Sequence, residues 1–540
     1  MMISIKPKYI LIILLKAVLF LNFQISAQEK NFEDRPDWEG GEPDGCTTIA
    51  VGKLASYDGS VMTSHTDDSH RTRSSMDIVQ AMTHPKGTMR ELFKRGNDDT
   101  KKMPSYSDIL TGRIPQVDYT HGYINTAYAC INDKQVAIGE TTFGGRDELK
   151  SDKGLIDCQR LCQLMLERAS TARDAIKIAG ELLEQYGWCD YGEMLTIVDP
   201  NEAWVFEIVG PGKDKMGAVW AAQRILDDHI FVGANGSRIR QIDVNNPDYF
   251  MFSKNVFDVA KQNGWWKPNE GPFEFCYAYA ERNSLATRRR EWRVFDLVAP
   301  SLKLDPWSEN YPFSVKPDNP VTLEKMVEIF SDYYEGTEFD MTKSLTVTDD
   351  SGKTVISPLA NPQMPYDMNK LFKINGGWGW RGERTIARWY TMYATIIQCR
   401  SWLPNEIGGL VWLAWDNVAT SIYAPFYSGI TRVHKTASTD GRVTGFSKQS
   451  AWWVFNRLGT LASQRWGDMR HDVRAVWDPI QKKLFADQKK FEEDAVKRFN
   501  LNRDDGREFL TKYCYDWQDD IIERAWLLGD ELWTKYDEKF

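Results

Sequence analysis

A strand-like hairpin begins abruptly at residue 46, and this feature constrains the fold more than any other. Residues 47–52 are rich in β-branched side chains, residues 57–60 (YDGS) have the composition of a turn, and residues 61–65 form a second strand-like run. The preceding residues 28–45 are polar, acidic and rich in Gly and Pro, which is typical of an extended or loosely held segment. The first core strand is therefore predicted to start at Cys46 with almost no lead-in.

The rest of the chain alternates strand-like and helix-like stretches. Residues 158–186 carry apolar side chains at helical spacing, which predicts two helices. From about residue 447 the chain becomes helical and charged. Hairpins, then helices, then hairpins again favour an α+β fold with layered antiparallel sheets over a doubly wound parallel sheet. Further strand-like runs lie at residues 122–128, 135–142, 193–199, 203–209 and 229–234.

The first 27 residues have the three parts of a secretory signal peptide. Lys6 and Lys8 precede an apolar stretch, and Ala27 ends a cleavage site of small residues. Lys16 interrupts the apolar stretch, and no later segment approaches the roughly 20 apolar residues that a membrane span needs. We therefore expect export to the periplasm or the extracellular space, with cleavage after Ala27 and no stable membrane anchor.

The charge balance excludes one class of partner. A formal net charge of −9 argues against a nucleic-acid-binding surface, which needs clustered Lys and Arg. Residues 287–293 (TRRREWR) are the local exception, and we interpret them as a solvated helix face. The 21 Trp residues are compatible with the stacking surface of a carbohydrate binder or with core filling.

The eight cysteines are scattered, so most are interpreted as buried thiols that act as small apolar residues. Cys158 and Cys162 lie four positions apart on a predicted helix, but no nearby His or Cys pair completes a zinc site. The sequence has no His-Glu-x-x-His motif and no Gly-x-Ser-x-Gly elbow after a strand, which disfavours a metallopeptidase and a serine hydrolase. We expect no metal and no organic cofactor.

Cys46 has a position that suits one particular chemistry. Cleavage after Gly45 would give Cys46 a free α-amine with a near-neutral pKa, within reach of its own thiol. One residue would then supply both the nucleophile and the general base, and no separate catalytic His would be needed. Position alone favours a buried structural thiol at a strand start instead. The residues that follow decide between the two.

Five blocks of sequence resemble the N-terminal-nucleophile cysteine dipeptidases. That family also contains the secernins and is related to penicillin V acylase and bile salt hydrolase. The resemblance spans about residues 46–430, and the blocks occur in the family's order. They are residues 46–60 (CTTIAVGKLASYDGS) with 65–68 (HTDD), 129–143 (ACINDKQVAIGETTF), 220–235 (WAAQRILDDHIFVGAN), 334–343 (YEGTEFDMTK) and 398–404 (QCRSWLP).

The resemblance implies a four-layer αββα N-terminal-nucleophile hydrolase sandwich. It predicts a propeptide at residues 28–45 after the signal peptide at 1–27, and self-cleavage is the family's habit. The catalytic domain is expected at residues 46–446, with a helical C-terminal extension at 447–540 packed on it. A homo-oligomer is compatible with this organisation.

The resemblance also implies roles for three residues. Cys46 matches the nucleophile. Asp68 matches a carboxylate that holds the new amine and the thiol in order, and the alternative is a solvated turn acid. Asn235 matches the side-chain amide of the oxyanion hole, which donates to charge that appears only at the tetrahedral stage; the alternative is a turn residue.

Three further residues are assigned by the same resemblance. His65 stands where the related acylases carry an Arg, so it is either a substrate contact or a polar residue at a strand end. The backbone of Thr142 is expected to offer a second oxyanion donor. Arg384 matches an Arg close to the thiol that lowers its pKa, with Arg381 and Arg388 as rivals and a surface salt bridge as the alternative.

The expected activity is hydrolysis of dipeptides through a thioester on Cys46. The first alternative is an N-acyl amide hydrolase of the penicillin V acylase or bile salt hydrolase kind, with an apolar acyl slot near Trp378 and Trp380. The second is a non-catalytic carbohydrate- or peptidoglycan-binding protein. A dipeptidase differs from an acylase because it must place an acid near the free amine of its substrate.

Overall fold

The computed structural model describes residues 45–280, 284–343, 345–362 and 384–539, and the hairpin at Cys46 lies at the centre of its first sheet. This sheet has seven strands, and neighbouring strands are antiparallel throughout. In spatial order the strands are β16 (Ser314–Val315), β14 (Ile230–Gly233), β1 (Gly45–Val51), β2 (Val61–Asp68), β19 (Thr391–Cys399), β20 (Leu410–Trp415) and β21 (Ala424–Tyr427).

A second antiparallel sheet has eight strands. In spatial order they are β15 (Phe250–Phe252), β13 (Val219–Ile225), β12 (Ala203–Val209), β11 (Gly192–Val198), β10 (Ala137–Gly144), β9 (Ala129–Asn132), β8 (Tyr123–Asn125) and β3 (Asp77–Val79). The remaining described strands form two-stranded ribbons: β4 (Met82–Thr83) with β7 (Tyr119–Thr120), β5 (Met89–Asp98) with β6 (Ser105–Pro115), and β17 (Thr346–Thr348) with β18 (Thr354–Ile356).

Helices surround the two sheets. The described helices are α1 (Cys158–Arg168), α2 (Ala172–Tyr186), α3 (Asp258–Gln262), α4 (Phe275–Tyr279), α5 (Leu285–Val298), α6 (Leu323–Phe330), α7 (Asn405–Gly408), α8 (Lys435–Ser438), α9 (Gly441–Thr444), α10 (Ala451–Gln464), α11 (Trp466–Leu501) and α12 (Arg503–Lys535). Within the described ranges, none of these helices has both the length and the apolar character to cross a bilayer.

The two sheets pack face to face, with β1 and β2 against β10 and β11. Thr196 of β11 links them, because its hydroxyl lies 2.7 Å from the hydroxyls of both Thr48 and Thr63. Gly139 of β10 allows the close approach, since a Cβ there would lie 2.2 Å from the backbone oxygen of Ser64. The residues next to Gly139 on β10 are thereby held against the start of β1.

Helices cover the other sides of both sheets. Helix α1 contacts β9, and α2 contacts β11 and β12, while α10 contacts β20 and α12 contacts β21. Buried polar groups hold α11 to the first sheet: the guanidinium of Arg400 pairs with the carboxylate of Glu492 at 2.5 Å, and Trp477 donates from Nε1 to the backbone oxygen of Thr420 at 3.1 Å. The first sheet is consequently buried on both faces.

Most of the elements predicted from sequence are confirmed. The α+β class with antiparallel sheets, the hairpin at Cys46, helices α1 and α2 and the helical region beyond residue 447 are all present. The strand predicted at 122–128 is shorter in the structure, where β8 spans Tyr123–Asn125. The division of the chain at residue 446 stays a prediction. The predicted signal peptide, residues 28–44 of the predicted propeptide, Trp378, Trp380 and Arg381 lie outside the described residues.

One interpretation of the sequence is wrong. Residues 287–293 are not a solvated face, because Arg289, Arg290 and Glu291 on α5 are at most 1% exposed. Arg293 is also buried and pairs with Asp332 at 2.7 Å. The charge run instead points polar groups into the protein, and one of them reaches Cys46.

All eight cysteines lie in the described part of the chain and are free thiols. Seven are buried and Cys189 is half-buried, as the interpretation of most of them as small apolar residues requires.

Candidate active site

Cys46 lies on β1 in the narrow space between the two sheets and is 5% exposed. Its backbone N–H donates to Oδ1 of Asn235 at 3.1 Å. Its thiol donates to Oε2 of Glu140 at 3.3 Å. Its carbonyl oxygen accepts from the hydroxyl of Thr141 at 3.1 Å and from Nη1 of Arg290 at 2.8 Å. Every polar group of this one residue is therefore held by a different side chain.

The bond that precedes Cys46 is also enclosed. Gly45 pairs with Asp68 across the β1–β2 ladder. A Cβ at Gly45 would lie 2.6 Å from Oδ1 of Asn235 and 3.2 Å from Nη2 of Arg384, so the space admits only glycine without displacement of these groups. The Gly45–Cys46 peptide thus lies among the residues that the sequence assigned to the site.

Asn235 sits just beyond β14 with a positive φ of 58°, a left-handed conformation that Asn adopts more readily than most residues. Its backbone N–H donates to the hydroxyl of Thr141 at 3.0 Å. Its side-chain N–H donates to the backbone oxygen of Thr142 at 2.7 Å, while its oxygen faces Cys46 and Arg290. The side chain therefore connects β1 to β10.

Glu207 of β12 anchors the loop that carries Asn235. Its carboxylate accepts hydrogen bonds from the hydroxyl of Ser237 and from the backbone N–H groups of Arg238 at 2.5 Å and Ile239 at 3.0 Å. Burial raises the pKa of Glu207 to about 7, although these hydrogen bonds and the charge of Arg238 lower it. The folded protein thus keeps a proton on Glu207 that the unfolded chain has lost.

This proton makes stability depend on pH in a defined direction. A group whose pKa is raised by folding stabilises the folded protein fully at pH values below its pKa in the unfolded chain. This stabilisation is lost as the pH rises through its pKa in the folded protein. Between pH 4.5 and 7 we expect Glu207 to lower the free energy of unfolding by roughly 3 kcal/mol, and Glu207→Gln to remove that slope. Urea unfolding at a series of pH values measures this change in the free energy of unfolding. The exposed Glu181→Gln on α2 is the control, and equal slopes in Glu207→Gln and wild type would contradict the prediction.

Arg290 of α5 is a site residue that the sequence analysis did not single out. Its Nη1 donates to the carbonyl of Cys46 and to the hydroxyl of Thr47 at 3.0 Å, and its Nη2 donates at 2.9 Å to the carbonyl of Ala234 and to Oδ1 of Asn235. Burial, and then the charge of Arg384, lowers the pKa of Arg290 to about 9. The planar guanidinium joins the start of β1 to the loop after β14.

Replacing the guanidinium of Arg290 is expected to destabilise the protein. Arg290→Met removes the guanidinium donor from the buried carbonyls of Cys46 and Ala234, and the carbonyl of Cys46 keeps only the hydroxyl of Thr141. We therefore expect the free energy of unfolding to fall by about 2 kcal/mol. Arg290→Lys is expected to recover only part of this loss, because an ammonium lacks the planar fork. Urea unfolding measures both variants. The control is Arg288→Met on the same helix, whose side chain is half-buried; an equal loss in that variant would contradict the assignment.

Asp68 and Arg384 form a buried ion pair at the end of β2. Nη2 of Arg384 donates to Oδ2 of Asp68, and the hydroxyl of Thr391 donates to Oδ1 at 2.6 Å. Asp68 is therefore not a solvated turn acid. The bonded partner of Arg384 is Asp68, and the pKa of Cys46 is raised in this form of the chain. The effect of Arg384 on the thiol stays a prediction. Its rival Arg388 lies over the ring of Tyr390, 4.9 Å from the ring centroid.

His65 lies in the middle of β2 opposite Thr395, so the alternative of a strand-end residue is wrong. Its Nε2 lies 3.1 Å from Oε2 of Glu140. The rings of Tyr128 and Tyr393 meet the imidazole edge-on at centroid distances of 5.2 and 5.6 Å. These two rings fix the orientation of the imidazole toward Glu140.

Glu140 is the second residue that the sequence analysis missed. It is fully buried, and it shares the hydroxyl of Thr142 with Glu193: Thr142 lies 3.1 Å from Oε1 of Glu140 and 3.0 Å from Oε1 of Glu193. Burial raises the pKa of Glu140, but hydrogen bonds from His65 and Glu193 outweigh it and bring the pKa to about 2. Burial and the charge of Glu140 raise the pKa of Glu193 well above its usual range. At neutral pH Glu140 is therefore ionised and Glu193 holds the proton.

The thiol of Cys46 is protonated in this setting. Burial is the largest cause that raises its pKa well above the usual value, followed by the charges of Glu140, Asp67 and Asp68. A base must therefore take the proton before the sulfur can attack. In the chain with Gly45 still attached, the backbone nitrogen of Cys46 is an amide and lacks the free lone pair of an amine.

The structure brings four of the six predicted residues into one contact network. Cys46 bonds Asn235, Asn235 bonds Thr142, and Thr142 and His65 both reach Glu140. Asp68 and Arg384 lie beside Gly45, the residue that precedes Cys46 on β1. Their catalytic roles stay predictions. The donor atoms of Cys46, His65 and Glu140 lie within 4.8 Å of one another, as a shared metal ion would require.

Comparison with known proteins places this chain in a family. The probable dipeptidase of Salmonella dublin is 26% identical over 76% of this chain and 88% of its own length. The probable dipeptidase of Latilactobacillus sakei is 25% identical, over 83% of this chain and 88% of its own. Dipeptidase A of Lactobacillus helveticus is 23% identical over 86% of this chain and 91% of its own length. The model of peptidase family C69 matches residues 45–479, so its match begins one residue before Cys46 and covers most of the chain. This chain belongs to peptidase family C69.

Proposed function

We propose that the protein is a cysteine dipeptidase whose nucleophile is Cys46, activated by its own α-amine after cleavage at Gly45. The observation that carries the proposal is that both reactive atoms of this residue face polar side chains between the sheets. The backbone nitrogen lies 3.1 Å from Oδ1 of Asn235, and the sulfur lies 3.3 Å from Oε2 of Glu140. Cleavage would free the nitrogen in place.

We also infer that the fold is the four-layer αββα sandwich of the N-terminal-nucleophile hydrolases. Support comes from the two antiparallel sheets in contact, with helices α1 and α2 against one sheet and α10 and α12 against the other. Cys46 lies at the start of β1, an interior strand of its sheet, where β1 contacts β10 of the second sheet.

The proposed reaction uses one residue as base and nucleophile. The α-amine takes the thiol proton as the sulfur attacks the scissile carbonyl carbon, so a C–S bond forms and the carbonyl oxygen becomes an oxyanion. Collapse breaks the C–N bond, and the protonated amine returns the proton to the leaving amino acid. Water then attacks the thioester, which releases the second product and restores the thiol. The side-chain amide of Asn235 would turn from the carbonyl of Thr142 to the oxyanion.

A dipeptide substrate is supported by the position of Glu140. The nitrogen of a substrate's free amine is two bonds from the scissile carbon, and that carbon must approach the sulfur to about 3–3.5 Å. An ionised carboxylate 3.3 Å from the sulfur is therefore within reach of the ammonium group of an unblocked dipeptide. A buried carboxylate in that place would disfavour an N-acyl group, because an uncharged group cannot offset the desolvation of the carboxylate. The named activity of the three relatives above is in agreement.

A paired measurement tests the proposal. The mature protein is purified, its intact mass is determined, and hydrolysis is compared for a dipeptide and for the same dipeptide with an acetylated N-terminus. The proposal expects a chain that begins at Cys46 and a strong preference for the free amine. Preference for the acetylated substrate would favour the N-acyl hydrolase. A fully active chain that still carries residues 28–45 would refute the α-amine as base.

A further inference from the structure

Three donor atoms of different chemistry converge between the two sheets. Oε2 of Glu140 lies 3.3 Å from Sγ of Cys46 and 3.1 Å from Nε2 of His65, and all three atoms are within 4.8 Å of one another. Each side chain is at least 95% buried: the exposed fractions are 5% for Cys46, 3% for His65 and 0% for Glu140.

These separations match those of zinc ligands. Zinc binds sulfur at about 2.3 Å and nitrogen or oxygen at about 2.0–2.2 Å in a tetrahedral arrangement, which sets neighbouring donors roughly 3.3–3.7 Å apart. The Cys46–Glu140 separation of 3.3 Å lies at the lower end of that range, and the His65–Glu140 separation of 3.1 Å lies just below it. A thiolate, an imidazole and a carboxylate also favour zinc over magnesium or calcium, which take oxygen ligands.

The donors are held by separate strands. Cys46 is on β1, His65 on β2 and Glu140 on β10, so the set spans both sheets at their contact. The rings of Tyr128 and Tyr393 hold the imidazole, and Thr142 holds the carboxylate. Little rearrangement is needed to gather three ligands, and such preorganisation favours binding.

We propose that Cys46, His65 and Glu140 form a reversible Zn²⁺ site that switches the nucleophile off. The ion would displace the thiol proton to solvent and bind the thiolate, a neutral imidazole and the carboxylate. Its two positive charges balance the thiolate and Glu140, so the buried group becomes neutral overall. The sulfur that attacks the substrate would then be occupied by the metal.

Maturation would strengthen the site. Where the α-amine of Cys46 is free, its nitrogen and the sulfur can close a five-membered chelate ring with the ion, giving a fourth ligand. This step and the effect on the nucleophile rest on the proposed function. Binding by the other three ligands does not, so a metal site and a dipeptidase can each be refuted without the other.

Cobalt binding tests the three-ligand site without an activity assay. Co²⁺ replaces Zn²⁺ in such sites and gives a thiolate-to-cobalt charge-transfer absorption. We expect one equivalent of Co²⁺ to produce this band, Zn²⁺ to displace it, and Cys46→Ser to remove it. His65→Ala should weaken Co²⁺ binding by at least about tenfold.

The matched control is Cys158→Ser, because Cys158 belongs to a neighbouring donor group with Glu140 and Glu193. The band must persist in this variant. Loss of the band there with retention in Cys46→Ser would overturn the proposal in favour of the neighbouring group. No band in wild type would overturn it as well.

A second measurement uses the unaltered protein, in case a variant fails to fold. Alkylation is followed by mass spectrometry of the cysteine-containing peptides, with and without Zn²⁺. We expect Zn²⁺ to slow alkylation of Cys46 by at least about tenfold, as ligation removes the free thiolate. The half-buried Cys189 should react at an unchanged rate. Equal protection of both thiols, or of neither, would contradict the site.

Discussion

Replacement of Cys46 by Ala is expected to abolish dipeptide hydrolysis, with kcat/KM falling by about 10⁶-fold, a loss of the size seen when a catalytic nucleophile is removed. The sulfur is the atom that forms the covalent intermediate, and none of the neighbouring side chains of Glu140, Asn235 and Arg290 carries a thiol that could replace it. The measurement is the initial rate of amino acid release from a dipeptide. Cys130→Ala on β9 is the matched control, since Cys130 is also a buried strand thiol and should retain activity.

The same variant is expected to keep residues 28–45 attached. The thiol of Cys46 lies beside the Gly45–Cys46 bond, and its attack on the preceding carbonyl is the step that would release the leader. Intact mass measurement of purified Cys46→Ala and wild type reads this directly. Normal processing of the variant would show that another protease removes the leader, and normal turnover would refute Cys46 as the nucleophile.

The start of the first core strand could be predicted from the sequence because the signal is local. Residues 28–45 are polar and rich in Gly and Pro, and the β-branched run begins at once after them. Strand β1 indeed begins at Gly45, and it pairs with β2 after the connection at residues 52–60. Local composition, with the turn signal at residues 57–60, was sufficient there.

Strands β19, β20 and β21 could not be identified in the same way. All nine residues of β19 are buried, because β19 lies inside the first sheet and both faces of that sheet are covered. A strand buried on both faces has no alternation of apolar and polar residues, so its sequence cannot be distinguished from a buried helix. The missing information is the position of β19 beside β2.

Glu140 and Arg290 were missed because their partners are distant in sequence. Glu140 reaches Cys46 across 94 positions and Arg290 reaches it across 244. One signal was available for Glu140: an ionisable residue inside an apolar strand-like run is rarely buried without a partner. For Arg290 the three consecutive arginines suggested a solvated face, and only the packing of α5 against β14 shows otherwise.

Glu140→Gln is expected to have the second largest effect on activity. We predict that kcat/KM for an unblocked dipeptide falls by about 10³-fold, or about 4 kcal/mol, because the amide keeps the shape of the carboxylate but loses the charge that pairs with the substrate ammonium. The measure is the ratio of kcat/KM for the free and the acetylated dipeptide, which should decrease toward one.

Glu193→Gln is the matched control for this prediction. Glu193 shares the hydroxyl of Thr142 with Glu140 but holds a proton at neutral pH, since burial and the charge of Glu140 raise its pKa. A neutral amide therefore replaces a neutral acid of nearly the same shape. We expect a loss of less than about tenfold in kcat/KM, because no charge is removed from the site.

The thiol supplies a readout that a merely structural role of Glu140 would not change. The charge of Glu140 is among the causes that raise the pKa of Cys46, after burial. Glu140→Gln should therefore lower the pKa of the thiol and shift the pH profile of Cys46 alkylation to lower pH, even as dipeptide hydrolysis falls. Glu193→Gln should leave that profile near wild type. A variant that loses hydrolysis with no shift in the alkylation profile would mean that Glu140 supports the fold of the site and does not bind the substrate's amine.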